Sequence, residues 1–129
     1  MNVPANLFYT EEHEWVLIEG NTATIGITDF AQEQLDELVY VEVDTVGETL
    51  SRNEVFGTVE AVKTTSDLFM PLAGKITEFN SELDEGEGDN PTMINQDPYG
   101  KGWIVKVELS DPSDREGLLD AAAYTELIS

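Results

Sequence analysis

Cysteine is absent from this 129-residue chain, and histidine occurs once, at His13. Without thiols there is no disulfide framework, no thiolate metal site and no sulfur nucleophile. Any sulfur redox chemistry must therefore be carried by an attached group. A hydrolase or transferase needs a nucleophile with a base, or a metal, and a single histidine offers little to build either. His13 reads instead as a structural residue next to a strand. Basic residues are scarce too: 6 against 27 acidic ones, for a formal net charge of −21. Such a surface repels phosphate backbones and anionic headgroups, which excludes nucleic acid and membrane surfaces as partners. The acidity serves solubility, attraction of basic faces on partner proteins, or both. No apolar run approaches spanning length, and Met1-Asn2-Val3-Pro4-Ala5-Asn6 lacks a basic segment leading into an apolar one. The expectation is a soluble cytoplasmic protein, or one of the mitochondrial matrix if a transit peptide has been removed. No Gly-x-Gly-x-x-Gly or phosphate loop is present, which removes the usual nucleotide folds. The acidic stretch from Glu82 to Pro91 lacks calcium-loop spacing and reads as a solvated loop.

What is present is mostly strand. Trp15 to Ile18 and Thr22 to Ile27 flank Glu19-Gly20-Asn21 as a hairpin. Thr28-Asp29 then offers an N-cap to a short helix carrying Phe30, Ala31, Leu35 and Leu38 at helical spacing. Val39, Val41 and Val43 alternate with polar neighbours, which predicts a half-buried strand closed by a turn at Gly47. Val55 to Val62, Asp67 to Met70, Lys75 to Phe79 and the alternating Trp103 to Leu109 continue the β pattern. The aromatic residues on these runs read as packing. After Asp111-Pro112-Ser113, Ser113 and Glu116 stand at capping-box spacing before an apolar stripe through Leu118, Leu119, Ala122, Ala123, Tyr124 and Leu127, which predicts a helical tail. The length suits a single domain over residues 1–129, with a core region of about 22–109 and a helical C-terminal segment of about 112–128.

Four lysines occur, Lys63, Lys75, Lys101 and Lys106. Lys63 differs from the others in its setting, within Val59-Glu60-Ala61-Val62-Lys63-Thr64-Thr65-Ser66-Asp67. β-prone runs on both sides force a chain reversal there, yet the turn lacks the usual Asn-Gly or Asp-Gly pair. The amine at this tip is open to a modifying enzyme.

These segments resemble the H protein of the glycine cleavage system, within the broader lipoyl and biotinyl carrier fold. His13-Glu14-Trp15, Ile25-Gly26-Ile27-Thr28-Asp29-Phe30-Ala31-Gln32, Val59-Glu60-Ala61-Val62-Lys63, Asp97-Pro98-Tyr99-Gly100 and Gly102-Trp103 follow the family's motifs in order and span nearly the whole chain. The resemblance implies a mainly β hybrid barrel-sandwich with a short helix after the first hairpin and a helical C-terminus. It implies lipoic acid in amide linkage to Lys63, and a carrier in place of a catalyst. The implied partners are a pyridoxal-phosphate glycine decarboxylase (P protein), a folate-dependent aminomethyltransferase (T protein), dihydrolipoamide dehydrogenase (L protein), and a lipoate ligase or lipoyltransferase. The arm would carry the aminomethyl group of glycine from the first to the second and be reoxidised by the third. Glu14 and Asp67 match acidic positions of the family's surface cleft, where they would hold the ammonium of the cargo. The chain departs from the family at Asp36, where a glycine is usual near the end of the first helix. Three readings compete: a biotin carrier, against which Val62 and Thr64 stand where methionines are usual; a lipoylated domain that only relays lipoate; and an acidic interaction module that is never modified.

Overall fold

The computed structural model describes residues 2–129. The first strands are β1 (Phe8–Tyr9), β2 (Glu14–Glu19) and β3 (Thr22–Ile27), and helix α1 (Asp29–Leu35) follows at once. The predicted cap is present: the Thr28 hydroxyl accepts the Ala31 amide at 3.1 Å. Strands β4 (Leu38–Glu42), β5 (Thr49–Leu50), β6 (Val55–Ala61), β7 (Thr65–Phe69) and β8 (Gly74–Phe79) come next, then helix α2 (Met93–Gln96), β9 (Val105–Leu109) and helix α3 (Ala121–Ile128).

Two antiparallel sheets result. One has six strands in the order β1-β2-β3-β9-β8-β5, the other three in the order β4-β6-β7. Each buries one face in the other, so period-two apolar residues interdigitate. Ala23, Ile25 and Ile27 of β3 meet Val105, Val107 and Leu109 of β9 across a register that pairs Ile25 with Val105. From the smaller sheet come Val41, Phe56, Val59, Ala61 and Leu68. Close approach of β4 and β6 requires glycine at position 57, because a Cβ there would stand 2.5 Å from the Glu42 carbonyl oxygen. A second cluster lies on the outer face of the larger sheet. There Tyr124 of α3 stacks on Tyr9 with ring centroids 4.7 Å apart, and Trp15 and Leu7 complete the contact.

Two expectations shift. The register slips between Leu38 and Tyr40, so a bulge turns Val39 outward to 42% exposure, and of the predicted Val39, Val41 and Val43 only Val41 and the half-buried Val43 pack on the core; Leu38, expected on the helix, lies past its end at Leu35 and opens β4 as a buried residue instead. The tail becomes helical only at Ala121, with Asp120 as N-cap accepting the Ala123 amide at 2.8 Å. Ser113 bonds the Asp111 carboxylate instead of capping a helix, at 2.7 Å, and Gly117 adopts φ +82, so residues 111–119 run as turns. An Asx turn competes with helix for the same backbone groups and prevails where no core face rewards helix formation.

Candidate functional site

Strands β6 and β7 form the hairpin predicted around Lys63. Glu60 pairs with Thr65, and the Ala61 amide donates to the Thr64 carbonyl at 2.7 Å, leaving Val62 and Lys63 as the two residues of the tip. Neither has a positive φ, so the reversal is not of the primed type that usual hairpins choose. The tip is instead held from outside: the Val62 amide donates to the Glu37 carbonyl at 3.2 Å. Val62 itself is 68% exposed, and Lys63 beside it is exposed. Among the described residues no ion pair engages the Lys63 ammonium. The other three lysines are exposed as well, but Lys75 and Lys106 lie within β8 and β9, and Lys101 follows the Tyr99-Gly100 turn. Lys106 is occupied over the Trp103 ring at 4.9 Å. Position on a two-residue tip, not exposure, sets Lys63 apart.

Beside the hairpin a pocket of about 280 Å³ opens between α1 and β7, lined by Glu12, His13, Phe30, Ala31, Gln34, Leu35 and Ser66. Its walls mix an apolar stretch, Phe30, Ala31 and Leu35, with polar groups. The lining suits an acyl chain ending in a sulfur ring, for which Phe30 also provides an aromatic contact. These residues would fit the lipoyl group that the resemblance implies. Sequence reasoning took Phe30, Ala31 and Leu35 only as the packing face of α1. The signal it passed over is that a seven-residue helix flanked by polar residues cannot bury all of that stripe, and Phe30 and Leu35 remain half-buried.

His13 is structural, as its sequence setting suggested. It adopts φ 69 at the end of a tight turn, and its Nδ1 pairs with the Tyr124 hydroxyl at 2.9 Å. That hydroxyl also pairs with the Thr28 hydroxyl at 2.7 Å, so one chain of bonds joins the C-terminal helix to the cap of α1. Burial lowers the His13 pKa against the opposing pull of Glu12, which keeps the ring neutral near pH 7.

Glu14 and Asp67 meet different fates. Glu14 is 2% exposed. Its Oε1 accepts the Thr10 hydroxyl at 2.7 Å and its Oε2 the Phe69 amide at 3.2 Å. The second bond satisfies a donor on β7, the edge strand of the smaller sheet, and ties that edge to β2. Burial pushes the carboxyl up to about 7, although both hydrogen bonds pull the other way. Glu14 also lines a second pocket, of about 230 Å³, with Thr10, Glu11, Glu12, Arg52 and Met70 among its neighbours. Asp67 is exposed on β7, opposite Thr58 and two residues before the Phe69 amide that Glu14 accepts. The two carboxylates share no hydrogen bond and line no common pocket. Glu12 is the residue common to both pockets.

Among the described residues no cluster of histidine and carboxylate side chains is suited to a metal, and no helix is long and apolar enough to cross a membrane. The sequence profile of the family described as "Glycine cleavage H-protein" matches residues 7–129. A glycine cleavage system H protein of Bacteroides thetaiotaomicron is 55% identical over 129 residues, covering all of this chain and 99% of that one. One from Chlorobium luteolum is 56% identical over 130 residues, covering 99% and 98%. The crystal structure of a glycine cleavage system H protein from Mycobacterium marinum superposes with a TM-score of 0.83 at 38% identity, covering 96% of this chain and 97% of that one.

Proposed function

Because the chain belongs to the glycine cleavage H-protein family, its role is that of a lipoyl carrier in glycine cleavage, and we propose that Lys63 is the lysine that bears the lipoate. The observation that carries this assignment is the two-residue tip: Lys63 is the one lysine presented at a hairpin end, next to a pocket whose lining suits the group. What lipoate supplies when bound is a redox-active pair of sulfurs that takes up and gives up the one-carbon amine unit of glycine. The partners are the family's P, T and L proteins, together with the ligase or lipoyltransferase that attaches the arm. The chain acts as one domain over residues 1–129 and performs no catalysis of its own, since its single histidine is bound into a structural chain of hydroxyls. The reading extends to a cytoplasmic setting, in keeping with a net charge of −21. Lipoylating the apo protein with a ligase, followed by peptide mass mapping, tests the site: only the peptide containing Lys63 should gain mass. Gain at Lys75, Lys101 or Lys106 would refute the assignment.

The chain's own residues would then shelter the arm. Phe30, Ala31 and Leu35 exclude water from a group lying against α1, which protects a hydrolysable cargo between visits to the partners. Glu14 and Asp67 are the acids proposed to hold a cationic cargo. A nearby ammonium favours the ionised form of a carboxyl, and Glu14, already near 7, changes state at little cost. Glu14→Gln/Asp67→Asn should accept lipoate at the wild-type rate, yet release the glycine-derived carbon as formaldehyde about threefold to tenfold faster, a charge-assisted bond partly screened at Asp67. Release at the wild-type rate would strip both residues of this role.

A further inference from the structure

Asn95 lies 32 residues from Lys63 in sequence and touches neither the lysine nor the pocket beside α1. Its side chain nevertheless governs the corner on which the hairpin tip rests. Asn95 Nδ2 donates to the Asp36 carbonyl at 2.8 Å and to Gln32 Oε1 at 3.0 Å, while its Oδ1 accepts the Leu38 amide at 3.0 Å. One amide thus holds the last turn of α1, the linker after it and the first residue of β4. Between the two backbone groups it grips lies Glu37, whose carbonyl accepts the Val62 amide, and Leu38 pairs with Ala61. The corner is under strain. Asp36 adopts φ 67 and ψ −150, a region that only glycine occupies without penalty. Without a restraint on its carbonyl, Asp36 would relax toward an ordinary conformation and carry Glu37 with it.

We propose that Asn95 is a positioning residue for lipoylation: by fixing the Asp36–Leu38 corner it holds the Glu37 carbonyl under Val62, and so presents Lys63 to the modifying enzyme in one geometry. The hairpin's internal closure, from the Ala61 amide to the Thr64 carbonyl, does not depend on this corner. The tip therefore has two anchors, and Asn95 controls one. Holding a reacting group in its near-attack geometry lowers the entropic cost of its capture. The ligase consequently meets a tip that is already ordered in the wild-type protein and one that must be ordered on binding when Asn95 is removed.

This inference rests on Lys63 as the modified residue, and the test separates the two. In unmodified Asn95→Ala, hydrogen exchange at the Val62 amide should quicken about tenfold, the effect of one weakened hydrogen bond, while the amides of Ala61 and of β9 exchange as in wild type. With a lipoate ligase, the KM for the apo protein should rise about fivefold and kcat stay within about twofold, because the loss is in presentation and not in amine chemistry. Asn95→Asp retains an acceptor for the Leu38 amide and should fall between the two in both readouts, which covers the case in which the alanine variant folds poorly. Wild-type exchange at Val62 together with a wild-type KM in a folded variant would overturn the proposal. Lipoylation that persists in Lys63→Ala would instead overturn the lysine assignment and leave the exchange result standing.

Discussion

Lys63→Ala is expected to reduce lipoylation to the level of a reaction without carrier, and with it both glycine decarboxylation supported by the P protein and electron transfer to dihydrolipoamide dehydrogenase. Both activities need the attached sulfurs, because the chain has no cysteine to substitute for them. Stability should stay within about 0.5 kcal/mol of wild type, as is usual for an exposed side chain without partners. Lys63→Arg is the sharper comparison. It keeps the positive charge and the long stem but offers no amine for amide formation under these conditions. If loss of charge at the tip were what disabled the protein, arginine would restore function; if acylation is what matters, both variants are equally inactive. Intact mass after incubation with ligase and lipoate, followed by the glycine-dependent assay, gives the answer. An alanine variant that still gains the mass of a lipoyl group would place the modification on another lysine.

The second large effect concerns Glu14 and the pH dependence of folding. Its carboxyl is pushed up to about 7 by burial from an ordinary value of 4.5. Between those values the folded chain holds a proton that the unfolded chain has released, so raising the pH favours unfolding. The stability linked to this group is complete below about pH 4.5 and is lost as pH rises to about 7, amounting to about 3 kcal/mol over that interval. Glu14→Gln removes the titration while keeping the geometry. The amide oxygen accepts the Phe69 amide, and the amide nitrogen donates to the Thr10 hydroxyl in place of the bond that Glu14 accepts. The variant should match wild type near pH 4.5 and exceed it by about 2–3 kcal/mol at pH 8. Urea unfolding across that range measures the difference, in which the self-repulsion of the many surface acids cancels because it is common to both proteins. A constant offset at all pH values would mean that Glu14 is ionised in the folded protein.

Much of the architecture was legible because it is written in local periods. Apolar residues two apart along β3 and β9 can bury one face only as strands, and Thr28 before Phe30 and Ala31 starts a helix through a cap that spans three residues. Lys63 was legible for the same reason: two β-prone runs, Val55 to Val62 and Asp67 to Met70, with four residues between them force a reversal, and the side chain at its tip meets solvent. The family motifs then supplied what the attached group is.

Tertiary structure decided the rest, because each remaining feature depends on segments far apart in sequence. Val39 points outward because the register of β4 on β6 slips by one residue, a choice made by packing between strands that alternation within β4 does not encode. Helix α3 starts at Ala121 and not near Ser113, because Asp120 caps it there while the Asp111 turn takes up the backbone around Ser113; Tyr124 of that helix then packs on Tyr9 and bonds His13, both more than 100 residues away. Glu14 reads as one acid among 27, and its raised pKa arises only when β2 is closed against the edge of β7, 55 residues away. Asn95 and the Lys63 tip are joined through a corner near residue 37 that belongs to neither segment. By itself the sequence determined which pieces are strands and which lysine stands at a turn. Only the fold decided how firmly that turn is held and which carboxyl loses its water, since desolvation and long-range hydrogen bonds exist only once the two sheets have closed on each other.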